Sequence, residues 1–525
     1  MGSCWSQKYW HEGAIVYQIY PRSFLDTTGE GIGDLQGIID RLDYLGGSNT
    51  SLGVTVIWLS PIYTSPMADF GYDVANYTDI DRLFGNLDTF RLLLNEAHKR
   101  DIKVILDFVP NHSSDQHPWF IESQSSVDNP KRDWFVWRAP KANGDVPNNW
   151  QSNFGGSAWE FSPITGQYYL HSFLTKQADL NWDNPAVRSA MKSSMRFWLD
   201  LGVDGFRIDA VDWLSKDTKF RNDPPTGHKY SRDGPRLFDR LNEMTQVLRE
   251  YNDRFMITEA HPETKDKNQG YLEYYEGVDS QLSAPFNLEG IYTPWIASDF
   301  RSFVDSFQAS MKKGYTPIYT LGNHDESRVA SRIGRTAART AAMMLLTLPG
   351  LSIIYYGDEI GMTDVEIPKS QSRDPFIGVG NNRDAERTPM QWDNSKSAGF
   401  TTGKPWLPIA KDYKRVNVQQ QSRDATSMLQ LYKQLIHFRN NSEILKNGAY
   451  LSADFGRNIF GYYRTMEHRT LLILLNFIDK SQLVPHKGTS GTIKVSTYLD
   501  IANTELPSKL ILRANEGLII EVTND

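Results

Sequence analysis

Short apolar runs recur along this chain, and each closes on polar residues. They are AIVYQIYP (Ala14–Pro21), VTVIWLSP (Val54–Pro61), KVILDFVP (Lys103–Pro110), GFRIDAV (Gly205–Val211), RFMITEA (Arg254–Ala260), GVDSQLSAPF (Gly277–Phe286), PIYTLGNHD (Pro317–Asp325) and LSIIYYGDE (Leu351–Glu359). Rich in β-branched and aromatic residues and bounded by turn formers, they read as strands. The stretches between them switch to helical spacing, as in PAVRSAMKSSMRFWLDLG and PRLFDRLNEMTQVLREY. The first strand leads into DTTGEGIGDLQGIIDRLDYL, a glycine-marked loop and then a helix. Eight strands alternating with helices predict an α/β fold, a (β/α)8 TIM barrel, whose active site lies at the carboxyl ends of the strands.

Two stretches break the alternation. From Ser113 to Lys176 the chain is rich in Trp, Asn, Pro and Gly, includes NNWQSNFGGSAW, and shows no sustained helical period. An insertion this long inside a βα repeat reads as a small functional subdomain. Past a long loop from Met362 to about Pro408, the helix TSMLQLYKQLIHFRNN closes the barrel. Then IFGYYR, TLLILLNF, GTIKVSTYL and GLIIEVT follow as strands separated by turns. The expected organisation is barrel over 1–112, inserted subdomain B over 113–176, barrel again over 177–447, and a C-terminal antiparallel β-sandwich domain over 448–525. In that last domain Phe460, Tyr462 and Tyr463 are explained by strand core and surface, making it a structural cap.

The polar ends of the strands carry the candidate chemistry. In GFRIDAV, Arg207 and Asp209 are i and i+2 on a strand and project to one face, so the guanidinium is expected to keep Asp209 ionised. Such a carboxylate at a strand end is a candidate nucleophile, and a purely structural ion pair is the competing reading. Asp26, Thr28, Glu30, Ile32 and Asp34 resemble a cation loop offering alternate oxygens to Ca2+, and a solvated turn with a helix-capping acid fits the composition equally well.

Charge and cysteine content narrow the function classes. With 56 basic against 63 acidic residues the chain is mildly acidic, which argues against a nucleic-acid partner. One cysteine, Cys4, excludes an internal disulfide framework and a thiolate metal cluster. No apolar run reaches the ~18 residues of a membrane span, and MGSCWSQKYWHEG has no apolar secretory core. A cytoplasmic protein without a membrane partner is the expectation.

Four motifs in order, DFVPNH, GFRIDAV, ITEAH and GNHD, with QADLN at Gln177–Asn181, give the chain a strong resemblance to the α-glucosidases of the α-amylase superfamily (glycoside hydrolase family 13), in the oligo-1,6-glucosidase and maltase branch. The resemblance implies a retaining, exo-acting α-glucosidase that removes the non-reducing glucose from small maltose-, sucrose- or isomaltose-type oligosaccharides and needs no cofactor. It implies Asp209 as nucleophile, Glu259 as general acid/base with a raised pKa, and Asp325 as the third carboxylate. Arg207 would orient the nucleophile and His112 and His324 would grip glucose hydroxyls. Asp69 and Tyr72 would close the pocket, with Phe173 as an aromatic wall. In NNRDAERTPMQWD, Arg383 and Arg387 are both candidates to face the glucose. The chain departs from the family at Ala210, where α-1,6-preferring members tend to carry Val and α-1,4-preferring members Thr, and in the cation loop, where Thr28 and Glu30 stand for the commoner Asn and Asp. Ala210 leaves the linkage open, with a lean towards small α-1,4 substrates. Transglucosylation and sucrose isomerisation are the alternatives of the same chemistry, and a non-catalytic partner of a transporter is the alternative of another class.

Overall fold

The computed structural model describes residues 9–264, 266–376, 382–485 and 490–523. Cys4 and Asn381 lie outside them. Eight parallel strands form the barrel: β1 Ile15–Ile19, β2 Val56–Leu59, β3 Lys103–Phe108, β4 Gly205–Ile208, β5 Phe255–Thr258, β6 Ser283–Pro285, β7 Ile318–Thr320 and β8 Leu351–Tyr355. They pair in the order β6-β5-β4-β3-β2-β1-β8-β7. A parallel bridge from Asn287 to Tyr319 joins the two ends, so the cylinder closes just beyond β6. Nearly every strand residue is buried, because one face meets the barrel interior and the other the surrounding helices.

Local sequence explains how the elements start and stop. In the helix Pro185–Leu201, the Asn184 side chain accepts from Ala186 N, proline occupies the first turn, and Gly202 ends it at φ +107°. Its buried face, Val187, Met191, Met195, Trp198 and Leu199, recurs at helical spacing and packs inward. Truncating the fully buried Trp198 to alanine is worth about 3–5 kcal/mol. Gly205 opens β4 because a Cβ there would sit 2.0 Å from the Phe255 carbonyl oxygen.

Register then sets the site. Ile208 pairs with Thr258, so the next residues along β4 and β5, Asp209 and Glu259, emerge side by side at the carboxyl rim. On the other flank Arg207 pairs with Asp107 of β3.

The segment after β3 holds more regular structure than its composition suggested. A helix spans Pro118–Ser125, started by the His117 side chain accepting from Trp119 N, and Trp137–Arg138, Gln167–Leu170 and Trp159–Ser162 form a three-stranded antiparallel sheet. His112–Ser114 pairs antiparallel with Gln177–Asp179, clipping the start and end of this excursion together over the barrel rim. Beyond the closing helix Met428–Asn440, the C-terminal strands build a six-stranded and a two-stranded antiparallel sheet. Phe460 and Tyr462 are buried within it.

Candidate active site

A cavity of about 420 Å³ opens at the carboxyl ends of the strands. At its floor Arg207 is fully buried and binds three carboxyl groups. Nη1 lies 2.7 Å from Asp107 Oδ1 and 2.6 Å from Asp209 Oδ1, while Nη2 lies 2.8 Å from Glu259 Oε2. Ala210 N, held at φ +45°, also donates to Glu259 Oε2 at 2.9 Å. Both donors reach the same oxygen of Glu259, so among the described residues Oε1 makes no hydrogen bond, and neither does Asp209 Oδ2. These two oxygens are available to a ligand.

Burial dominates the ionisation of Asp107 and Asp209. It pushes Asp107 up to about 6 against the pull of Arg207, and raises Asp209 well above the ordinary carboxylate range, with Glu259 and Asp107 adding to the rise and Arg207 opposing it. The expectation that Arg207 alone keeps Asp209 ionised is therefore too simple. Asp107 and Asp209 share one guanidinium, and burial biases both towards the protonated form.

Asp107 was not among the sequence candidates, although it begins the DFVPNH motif. Its Oδ2 accepts from Tyr72 OH at 3.0 Å and Trp58 Nε1 at 3.2 Å. Tyr72 OH lies 2.7 Å from His324 Nε2, and Gln18 Nε2 lies 2.8 Å from His324 Nδ1. The two rings stack with centroids 5.4 Å apart. With Gln18 donating to Nδ1, the chain Gln18 to His324 to Tyr72 to Asp107 is consistent with His324 protonated at Nε2 alone. Burial keeps His324 neutral and likewise lowers His112 to about 4.

The opposite wall is ionic. Arg383 Nη2 binds Asp69 Oδ1 and Asp374 Oδ1, each at 2.8 Å, and its Nη1 binds Asp325 Oδ1 at 3.1 Å. Asp69 also accepts from Gln177 of the QADLN segment, which lies 3.1 Å from His112 Nε2. Phe173 packs 5.0 Å from His112 and lines the cavity. Of the two arginine candidates, Arg383 lines the cavity; Arg387 is fully buried behind Asp325, with Nη2 2.7 Å from Oδ1 and Nε donating to the His324 carbonyl. Burial alone would raise Asp325, but the Arg387 and Arg383 guanidinium groups hold it below the ordinary carboxylate range.

The same cavity is also lined by residues that were not among the sequence candidates, including Asp212, Trp213, Arg232, Tyr292, Glu326 and His261, which closes the ITEAH motif.

The cation-loop candidates are laid out as a hydrogen-bonded turn with a helix-capping acid. Asp26 accepts from Thr28 N, Thr28 Oγ1 and Gly29 N through Oδ1 and from Gly31 N and Thr401 Oγ1 through Oδ2. Asp34 caps the following helix by accepting from Gly37 N, and both its oxygens take Thr27 donors. Glu30 is exposed and Ile32 half-buried. Both carboxylates are engaged by N–H and O–H donors, and no Ca2+ cage is shown at Asp26, Thr28, Glu30, Ile32 and Asp34. Among the described residues no cluster of three metal-ligating side chains occurs.

The family model for the α-amylase catalytic domain matches residues 18–448. The chain belongs to the α-amylase family. An oligo-1,6-glucosidase of Parageobacillus thermoglucosidasius is 39% identical over 569 aligned residues, spanning 98% of this chain and 99% of that protein. A trehalose-6-phosphate hydrolase of Bacillus subtilis is 39% identical over 510 residues, spanning 89% and 90%. A solved α-glucosyl transfer enzyme superposes with a TM-score of 0.91 at 34% identity, over 98% of this chain and 100% of that one. This α-amylase-family chain is accordingly a glycoside hydrolase of the α-glucosidase kind. Among the described residues, no helix is long and apolar enough to cross a membrane.

Proposed function

We propose that this α-glucosidase works by double displacement, with Asp209 attacking the anomeric carbon through Oδ2 while Glu259 protonates the leaving oxygen. The observation that carries this is Arg207, whose two terminal nitrogens hold Asp209 and Glu259 at 2.6 and 2.8 Å. Two carboxyls on one guanidinium sit at close quarters. That favours the separation of about 5 Å used by retaining enzymes over the roughly 6.5–9.5 Å that makes room for water in inverting ones.

Proton balance agrees. The leaving group needs a proton, which we assign to Glu259, and Asp209 attacks as the carboxylate. As Asp209 bonds to the sugar its charge is neutralised, Glu259 gives up its proton, and the resulting carboxylate, paired with Arg207, then takes a proton from the incoming water. Asp325, held anionic by Arg383 and Arg387, faces the positive charge that develops on the sugar ring. The Asp69–Arg383 ion pair and the Tyr72–His324 stack line the cavity, and we read them as the walls of the pocket for one terminal glucose.

No step calls for a cofactor or a metal. Among the relatives the names include an oligosaccharide hydrolase, a phosphorylated-disaccharide hydrolase and a glucosyl transfer enzyme. Our reading for this chain is hydrolysis of small neutral oligosaccharides. Transfer would differ only in the hydroxyl that resolves the intermediate.

The test is proton NMR during hydrolysis of maltose, isomaltose and sucrose, with Asp209→Asn as control. Initial release of α-glucose by the wild type and none by the variant supports the mechanism. Initial β-glucose would overturn it.

A further inference from the structure

Carboxyl groups outnumber cations on the cavity lining. Six carboxyl side chains line the cavity, Asp69, Asp209, Asp212, Glu259, Asp325 and Glu326, and among the described residues two guanidinium groups do, Arg232 and Arg383. Both cations are committed. Arg383 is shared among Asp69, Asp325 and Asp374. Arg232 lies 2.6 Å from Asp212 and 3.4 Å from Glu263, donates to the His261 carbonyl and stacks over Trp213. Neither is left to meet an anion on a substrate.

Glu326 has no direct ion pair among the described residues, and Arg332 and His261 act on it only at longer range. Its Oε1 accepts from Tyr292 OH at 2.8 Å. The nearby Arg332 spends all three guanidinium nitrogens on the carbonyls of Ser327, Ile291 and Leu321. Tyr292 lies close to both Glu326 and Glu259, His261 lies close to Glu326, and Arg232 donates to the His261 carbonyl; the leaving group lies on this side if Glu259 protonates it.

We propose that Glu326 is a specificity-determining residue that selects neutral or cationic aglycones and excludes those bearing a phosphate or carboxylate. An uncharged sugar offers hydroxyl donors to its carboxylate; an anion in a partly desolvated cavity meets like charge without compensation. This rests on the glucosidase reading and sets its substrate class apart from phosphorylated disaccharides.

The test compares isosteric aryl α-glucosides, 4-carbamoylphenyl against 4-carboxyphenyl, and 4-tert-butylphenyl against 4-trimethylammoniophenyl. Wild type is expected to favour the carboxamide over the carboxylate in kcat/KM by about tenfold or more, a preference that narrows at high salt. Glu326→Gln is expected to narrow the ratio and Glu326→Lys to narrow it further or invert it, while the cationic glucoside loses its advantage in both. Equal kcat/KM for carboxamide and carboxylate in the wild type would overturn the proposal. So would a ratio unchanged by both variants. If a variant is inactive, the wild-type ratio and its salt dependence decide: a salt-independent ratio counts against Glu326. Hydrolysis of the carboxamide glucoside tests the glucosidase reading separately, since its failure would remove that reading and not the charge selectivity alone.

Discussion

Asp325 rests on a residue that no substrate touches: Arg387, fully buried, places Nη2 2.7 Å from Asp325 Oδ1. Arg387→Met strips a partner from a buried pair, a loss of about 3 kcal/mol, and releases Asp325 from one of the cations that hold its pKa down. The expected outcome is a lowered Tm together with a fall in kcat of about a hundredfold, with the acid limb of the kcat/KM profile moved to higher pH. The Tm by calorimetry and the pH profile check the two halves separately. Because Asp325 is depressed, its contribution to stability is present above its unfolded value and is lost as pH falls.

Calcium and chelators are expected to leave the protein unmoved. Asp26 already accepts five hydrogen bonds, and these outweigh its burial to hold its pKa below the ordinary value. Thermal unfolding in EDTA and in millimolar Ca2+ should coincide. Asp26→Ala should destabilise by about 2–3 kcal/mol, since it strands buried backbone donors. A Tm that rises with Ca2+ would contradict the assignment of this loop.

Acid should destabilise the fold through its histidines. Burial lowers His11 and His112 to about 4, His117 to about 3 and His324 well below 6.5. Their folded-state values lie below the unfolded one, so stability is complete above about pH 6.5 and declines as pH falls, because the unfolded chain binds protons that the folded chain refuses. Each contributes a slope of about 1.4 kcal/mol per pH unit between its two values. His117→Asn keeps a side-chain acceptor for Trp119 N and removes one titration. Urea unfolding across pH 5 to 7 should show a slope reduced by roughly that amount.

Ala210 carries a positive φ of +45° next to the nucleophile and lines the cavity. Ala210→Val places a β-branched residue in the left-handed region, at a cost of about 1–2 kcal/mol, and narrows the aglycone side. Its kcat/KM ratio for isomaltose over maltose should rise, and that of Ala210→Thr should fall. Parallel changes on both sugars would show that Ala210 does not read the linkage.

The barrel was legible because its strands are short apolar runs ending in polar residues, and the Arg207–Asp209 pair because strand periodicity fixes i and i+2 on one face. What escaped depended on register and packing. Asp107 meets Arg207 only because β3 and β4 align those two residues across a hundred positions of sequence. Arg383 and Arg387 sit four residues apart in one motif, and only the folded loop turns one to the cavity and the other beneath Asp325. The acids at positions 26, 30 and 34 matched a ligand spacing, but backbone N–H groups reached two of those carboxylates first. Glu326, adjacent to Asp325, carried no signal of its own. Its significance is a place on the cavity lining with no direct ion pair among the described residues.

The central claim is that Asp209 carries the glucosyl group. It is tested most directly by incubating the protein with 5-fluoro-α-D-glucosyl fluoride, a donor that slows turnover of the intermediate, then digesting and reading the peptides by mass spectrometry. The account predicts a fluoroglucosyl adduct on the peptide containing Asp209, lost in Asp209→Asn. An adduct on Asp325 or Glu259 would contradict it.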